Sequence, residues 1–254
     1  MQLQYDREGD GPLVVLLHGF PESRKTWTRQ LSALANAGFR AVAPDLRGYG
    51  ASPKPRGIAA YRVALIAEDV IELIASLGGA PCVLVGHDWG AAVAWHIAMM
   101  RPDVIRKLVI LNVPHPSAIS REVRRSWRQR LKLSYQLFFQ LPLLPELAMK
   151  IVTRQWRRDF TPLINYYRAL RYKRERSRRV EIETLIIWSE REPVFLPSTI
   201  EDIDKWVPNA RIERVPRAGH YVQRDAPERV NELLIAFTLS APRATPATAA
   251  QPTT

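Results

Sequence analysis

Short runs of consecutive apolar residues recur along the chain, and a stretch with helical spacing follows most of them. Leu13-Val-Val-Leu-Leu17 ends at His18-Gly19, and Arg40-Ala-Val-Ala-Pro44 ends in the turn Asp45-Leu-Arg-Gly-Tyr-Gly50. Cys82-Val-Leu-Val85, Lys107-Leu-Val-Ile-Leu111, Glu183-Thr-Leu-Ile-Ile187 and Arg211 to Val215 continue the series. Apolar on both faces and too short for helices, these runs predict buried strands. Between them, Ser23 to Ala37, Ala64 to Leu77, Ala91 to Met100, Ser198 to Trp206 and Ala226 to Leu239 predict helices. Gly38 and Gly78-Gly79 supply stop signals, and Pro102 ends the third. Strands alternating with helices imply an α/β protein with a mostly parallel central sheet flanked by helices.

The alternation breaks at Pro114-His-Pro116 and resumes near residue 180. From 117 to 179 the spacing is helical throughout and rich in Arg and Leu. The expected organisation is therefore a core built from residues 1–116 and 180–240, interrupted by a helical cap at 117–179. The last stretch, 241–254, is almost entirely Ala, Pro, Thr and Gln, a composition that predicts a disordered tail.

Charge changes this picture in one place. The cap holds 17 Lys and Arg against 4 Asp and Glu, while the whole chain carries a net +12. The cap thus carries all of the excess. A solvated Arg-rich face accounts for this most simply, and weak contact with a membrane surface stays open. Aromatics within a helical insertion pack or line a pocket more readily than they stack on bases, so nucleic acid is not expected as a partner. The single cysteine, Cys82, leaves no disulfide and no multi-cysteine zinc site, and no metal or organic cofactor is implied. Met1 to Glu8 turns acidic at once, without the apolar region of a signal peptide, so the expected location is cytoplasmic.

Candidate chemistry centres on Gly86-His-Asp-Trp-Gly90, directly after a predicted strand and before a helix. That is the strand–turn–helix setting of a nucleophile elbow, whose tight turn needs glycine where a β-carbon would collide. The central residue is Asp88, not serine. A carboxylate is already anionic and can displace a leaving group from an sp³ carbon, forming an alkyl ester on the protein. This points to an alkyl electrophile, an epoxide or an alkyl halide, rather than to a serine esterase. In this arrangement the order along the chain is nucleophile, acid, histidine. Of His18, His87, His96, His115 and His220, only His220 lies beyond the last strand, in a Gly-His turn.

Taken together, His18-Gly-Phe-Pro-Glu-Ser23, Asp45-Leu-Arg-Gly-Tyr-Gly-Ala-Ser52, Gly86-His-Asp-Trp-Gly90, Asn112-Val-Pro-His-Pro116, Trp188-Ser-Glu-Arg-Glu-Pro193 and Gly219-His-Tyr-Val-Gln223 resemble the α/β-hydrolase superfamily, in its epoxide hydrolase branch. The resemblance implies an α/β-hydrolase fold and conversion of an epoxide to a vicinal diol through an aspartyl alkyl ester. Glu192 stands where that branch usually has Asp, with Glu190 as the nearby substitute. The backbone N–H groups of Trp89, next after the nucleophile, and of Phe20 are expected to form the oxyanion hole. Tyr135-Gln-Leu-Phe-Phe-Gln140 and Asn165-Tyr-Tyr-Arg168 resemble the two cap segments that supply tyrosines, nominating Tyr135 and Tyr167, with Tyr166 as the obvious misassignment. Spacing agrees, with Trp127, Leu131, Tyr135 and Phe138 on one expected stripe and Leu163, Tyr167 and Leu170 on another. Trp89, Phe20 and Phe138 are expected to wall the substrate pocket. The stretch between the tyrosine segments, 141–164, is shorter than the resemblance leads one to expect. Two rivals stand beside this reading: a haloalkane dehalogenase, and a hydrolase-like binding or membrane-surface protein with weakened catalysis.

Overall fold

The computed structural model describes residues 1–172 and 175–241. Seven strands form one sheet: β1 Tyr5–Glu8, β2 Leu13–Leu17, β3 Arg40–Pro44, β4 Cys82–His87, β5 Ile105–Leu111, β6 Thr184–Ser189 and β7 Ala210–Val215. Their order is β1-β3-β2-β4-β5-β6-β7. Every neighbouring pair is parallel except β1, which runs antiparallel along β3. Patterning missed β1 because Tyr5-Asp-Arg-Glu8 is half exposed and carries no apolar run. Its register with β3 places Tyr5 opposite Pro44 and Glu8 opposite Ala41.

Alternate side chains of the central strands enter two separate cores, as the pleat requires. Val14, Leu16, Val83 and Val85 point to one face, where α1 (Thr28–Asn36) and α10 (Pro227–Leu239) pack together. Val15, Leu17 and Leu84 point to the other, where α2 (Val63–Ser76) and α3 (Trp89–Met100) pack together. Helix α3 is apolar almost all round and buried on nearly every side, which places the elbow ahead of it at the centre of the molecule. Buried Lys107 on β5 donates to the carbonyls of Phe237 and Ser240, both at 2.7 Å, so a cation holds the C-terminal end of α10.

Several boundaries differ from the sequence reading. The stretch expected as a helix from Ser23 opens with a 3₁₀ turn, Arg24–Trp27, before α1. No helix spans 198–206: two 3₁₀ turns, Pro197–Thr199 and Ile203–Lys205, flank Asp202, whose φ of 55° breaks helical continuity. Helix α10 is preceded by the single turn α9, Val222–Asp225, with Pro227 at the start of the longer helix.

Between β5 and β6 the chain forms α4 (Pro116–Arg125), α5 (Trp127–Lys132), α6 (Tyr135–Phe138), α7 (Leu144–Thr153) and α8 (Thr161–Arg168). Helix is not continuous to residue 179: after a 3₁₀ turn, Ala169–Arg171, residues 175–180 are irregular. There the backbone is committed to the core. The His115 ring donates to the Arg178 carbonyl at 3.1 Å, and Val180 N–H donates to Trp206 at 2.8 Å. The stripe through Trp127, Leu131, Tyr135 and Phe138 does not form either. Leu133 and Ser134 break the helix between α5 and α6, leaving Trp127, Leu131 and Phe138 exposed. The second stripe does form, with Leu163 and Tyr167 buried. The expected tail, apart from residue 241, lies outside the described residues.

The elbow depends on close backbone approach. A β-carbon on Gly90 would run into the carbonyls of Leu17 and His18, and one on Gly86 into Gly90 and Ala91. Gly90→Ala is expected to lower unfolding free energy by about 1–3 kcal/mol, as overpacking of a tight core does. Denaturant titration measures this; unchanged stability would show that β2 and α3 can move apart without cost.

Candidate active site

The strand β4 delivers Asp88 to the C-terminal edge of the sheet and α3 begins at the next residue. Asp88 has φ 49° and ψ −118°, a conformation that non-glycine residues rarely adopt and that the flanking glycines make room for. One carboxylate oxygen, Oδ1, accepts from Phe20 N–H at 2.7 Å. The other, Oδ2, lies 3.6 Å from His220 Nε2. Trp89 is the first residue of α3, where N–H groups have no partner within the helix. Both backbone donors expected for an oxyanion hole therefore border Asp88.

Glu192, not Glu190, meets the histidine. His220 Nδ1 donates to Glu192 Oε2 at 2.8 Å, while Oε1 accepts from Val194 N–H at 2.7 Å. Glu192 is buried, whereas Glu190 is exposed. The backbone explains how the longer side chain fits. Glu190 N–H donates to Val215 and Arg191 N–H to Ala218, each at 3.1 Å, so the loops after β6 and β7 are joined main chain to main chain. That join fixes the separation that the extra methylene of Glu192 must span.

Two residues that sequence reasoning did not assign hold His220 from behind. Asn112 Nδ2 donates to the His220 carbonyl at 2.7 Å, and His87 Nε2 donates to the same oxygen at 2.8 Å. Gln223 Nε2 donates to His87 Nδ1 at 3.2 Å, which selects the tautomer. Asn112 also accepts from Ser189 N–H at 2.8 Å, linking β5 to β6 beneath the site. The available signal was an Asn directly after the Lys107–Leu111 run; its φ of 60° lies in a region that Asn tolerates better than most residues. His18 braces the opposite wall: its Nε2 accepts from Leu46 N–H at 3.1 Å and its Nδ1 donates to Gly19 at 3.0 Å.

The environment separates these groups electrically. Burial pulls His18 down to about 4 and His87 to about 3, keeping both neutral. Burial also opposes the charge on His220, but hydrogen bonds and attraction from Asp88 and Glu192 prevail and raise it to about 10. Burial favours protonated Asp88, yet His220 and the Phe20 N–H hold its carboxyl below the usual range. The resting site is thus an aspartate facing an imidazolium.

Asp88, Trp89, Tyr135 and Tyr167 line one cavity of about 340 Å³ that continues past Ile119, Leu133 and Met99 toward His96. That volume suits a small organic molecule. Tyr135 and Tyr167 lie with ring centroids 5.9 Å apart, and burial followed by the Asp88 charge pushes the Tyr135 hydroxyl up to about 12. Tyr167 is raised for the same two reasons, so both remain proton donors. Tyr166 borders the same cavity, but its hydroxyl is committed to the Arg47 carbonyl at 2.7 Å. Phe138 does not wall the cavity; it is 40 % exposed. Its neighbour Phe139 is buried instead, packed on Phe20, Tyr135 and Tyr167 with centroids 5.5, 5.8 and 4.6 Å away. A one-residue error on a four-residue helix turns a side chain from inside to outside. Phe20 is not part of the cavity wall and supports Tyr167 from behind, edge to face at 5.3 Å.

A strand-borne anion at a strained elbow, a histidine after the last strand and an acid after the one before it define a hydrolase of the α/β class. Residues 14–233 match the alpha/beta hydrolase family, and the chain belongs to it. An AB hydrolase superfamily protein of Bacillus subtilis, YfhM, is 34 % identical over 259 residues, covering 90 % of both chains. Epoxide hydrolase 3 of Xenopus tropicalis is 32 % identical over 93 % of this chain and 74 % of its own length. Among solved structures, a Bacillus megaterium epoxide hydrolase in complex with an inhibitor superposes with a TM-score of 0.85 at 29 % identity, covering 94 % of this chain and 97 % of that one.

The ion pairing has a pH signature. Unpaired histidine titrates near 6.5 and His220 near 10, so the stability their difference contributes is complete below pH 6.5 and is lost as pH rises through 10. Across that interval the melting temperature of the native protein should fall, and His220→Gln should remove this part of the fall. Identical slopes in the two proteins would refute the assignment.

Proposed function

We propose that this chain hydrolyses epoxides to vicinal diols, with Asp88 as nucleophile, residues 117–179 as the cap over the site and 1–116 with 180–240 as the core. The observation that carries the reading is the elbow carboxylate facing His220, in a cavity lined by two un-ionised tyrosines. Relatives named as epoxide hydrolases support the same substrate class.

In the first step Asp88 attacks a ring carbon and the carbon–oxygen bond breaks. Tyr135 and Tyr167 bind the ring oxygen and direct a proton to it, since an alkoxide is a poor leaving group in an apolar cavity. The product of this step is a hydroxyalkyl ester on Asp88. Esterification removes the charge that did most to keep His220 protonated, so the imidazolium loses its proton to solvent, and a proton from solvent restores the tyrosine hydroxyl that protonated the ring oxygen. Neutral His220, held by Glu192, then takes a proton from water as that water attacks the ester carbonyl. The N–H groups of Phe20 and Trp89 stabilise the resulting oxyanion, each donor of this kind being worth roughly 10²–10³ in rate. Collapse of the tetrahedral intermediate expels the alkoxide, which takes the second proton of the attacking water, so the diol leaves and the Asp88 carboxylate is restored. The base needed in the second step is thus generated by the chemistry of the first.

The test follows diol and halide from aryl and alkyl epoxides and bromoalkanes in parallel. Diol should form, vanish in Asp88→Ala and fall at least about tenfold in each of Tyr135→Phe and Tyr167→Phe. Halide without diol, indifferent to the tyrosines, would replace this reading with a dehalogenase.

A second measurement addresses the ester itself. His220→Gln should stop the cycle after alkylation, so intact-protein mass should rise by the mass of the substrate. In a single turnover in ¹⁸O-water the native enzyme should place the label in Asp88 rather than in the diol. Label appearing directly in the diol would mean that water, not Asp88, opens the ring.

A further inference from the structure

Among the described residues, eleven of the fifteen large apolar side chains left exposed fall between residues 127 and 156. The densest part runs from Leu137 through Phe138, Leu141, Leu143 and Leu144 to Leu147, six exposed apolar side chains within eleven residues. Leu143, at the turn into α7, has φ 62° and is 79 % exposed. Along α7, Leu144, Leu147 and Ile151 recur at intervals of three and four and form one outward face. Trp127 and Trp156, 63 % and 61 % exposed, stand at the two ends of the segment.

The same segment is strongly basic. From 124 to 158 there are nine Lys and Arg and a single acid, Glu146. That acid is already paired internally with Arg168, at 2.6 Å. Arg124, Arg125, Arg128, Arg130, Arg154 and Arg157 are exposed. An exposed apolar face of this extent marks an interaction surface, and its charge selects the partner. A second copy of this chain would bring the same positive face and repel it. A nucleic acid would engage the arginines but leave the leucines unsatisfied. No helix among the described residues is long and apolar enough to cross a membrane, so the surface would lie on a bilayer rather than span it.

We propose that the 127–156 face docks on anionic lipid bilayers. Its leucines and isoleucine enter the boundary between headgroups and acyl chains, its two tryptophans sit at headgroup level, and its arginines meet the phosphates. The placement is independent of the chemistry assigned to Asp88.

Flotation of the whole protein with vesicles of phosphatidylcholine, alone or mixed with phosphatidylserine, tests this. Binding should appear with the mixed vesicles only and weaken at least tenfold on moving from low salt to about 0.5 M, where surface attraction is screened. Leu143→Ser combined with Leu147→Ser and Ile151→Ser should reduce binding at least tenfold at low salt, and Arg128→Glu with Arg157→Glu should do the same. Melting temperatures of the variants, matched to the native protein, control for folding. Absence of binding to mixed vesicles by folded native protein would overturn the proposal. So would equal binding to uncharged vesicles, or binding unaffected by the serine substitutions. Sedimentation showing native self-association that the serine variant loses would assign the face to a second copy instead. Duplex DNA bound more tightly than mixed vesicles in the same buffer would assign it to nucleic acid. Either result would overturn the lipid reading.

Discussion

The backbone at Asp88 is held where a residue with a side chain does not rest by choice, and much of the molecule can be understood as what holds it there. The strain is local, with φ 49° and ψ −118°, but its support is not. Gly86 and Gly90 let β4 and α3 approach, and Gly19 leaves room beside the carboxylate itself. The two strands flanking β4 are parallel to it, so their C-terminal loops converge on the same edge. A strained residue persists only when its surroundings over-determine it, and a buried parallel sheet with helices on both faces supplies that over-determination.

Electrostatics follows from the same placement. Two carboxylates and one histidine share a small, mostly buried volume, and burial alone would discharge Asp88 and His220. Asp88 and His220 stay charged because each partner stabilises the next: Phe20 N–H and His220 at Asp88, Glu192 behind His220, with Val194 N–H holding Glu192 in place. The neighbouring histidines, His18 and His87, lack acidic partners as close and stay neutral, serving as hydrogen-bonding struts. Residues of one type thus take opposite charge states according to what faces them.

Much of this was legible in the sequence. The buried strands announced themselves because both faces are apolar, and the elbow because its glycines flank Asp88 between a strand and a helix. Chain order alone singled out His220. What escaped notice has physical reasons. Strand β1 lies at the sheet edge, where pairing needs no apolar pattern. Asn112 and His87 act through the His220 carbonyl, a contact between residues more than a hundred positions apart that no local periodicity encodes. Phe138 and Phe139 exchanged roles because α6 ends there, and packing of Phe139 on Phe20, Tyr135 and Tyr167, rather than helical periodicity, decides which ring turns inward. The charge of residues 117–179 was plain from composition, whereas the apolar side chains exposed among those charges needed the fold.

Tyr166 and Tyr167 are neighbours on α8 with different obligations, and that difference sets which wall of the cavity is fixed. The Tyr166 hydroxyl is tied to the Arg47 carbonyl of the core, and Gln140 holds the Tyr167 carbonyl at 2.9 Å. Tyr167 therefore inherits the position of the sheet. Tyr135 sits on α6, a helix of four residues of which Leu137 and Phe138 are exposed, and it reaches that anchor through Phe139 and Gln140. One phenol is a datum and the other a follower. Leu133, Tyr135 and Gln136, from α6 and the turn before it, form the wall of the cavity on the follower's side. Changes in that short segment would leave Asp88, its supports and the sheet untouched.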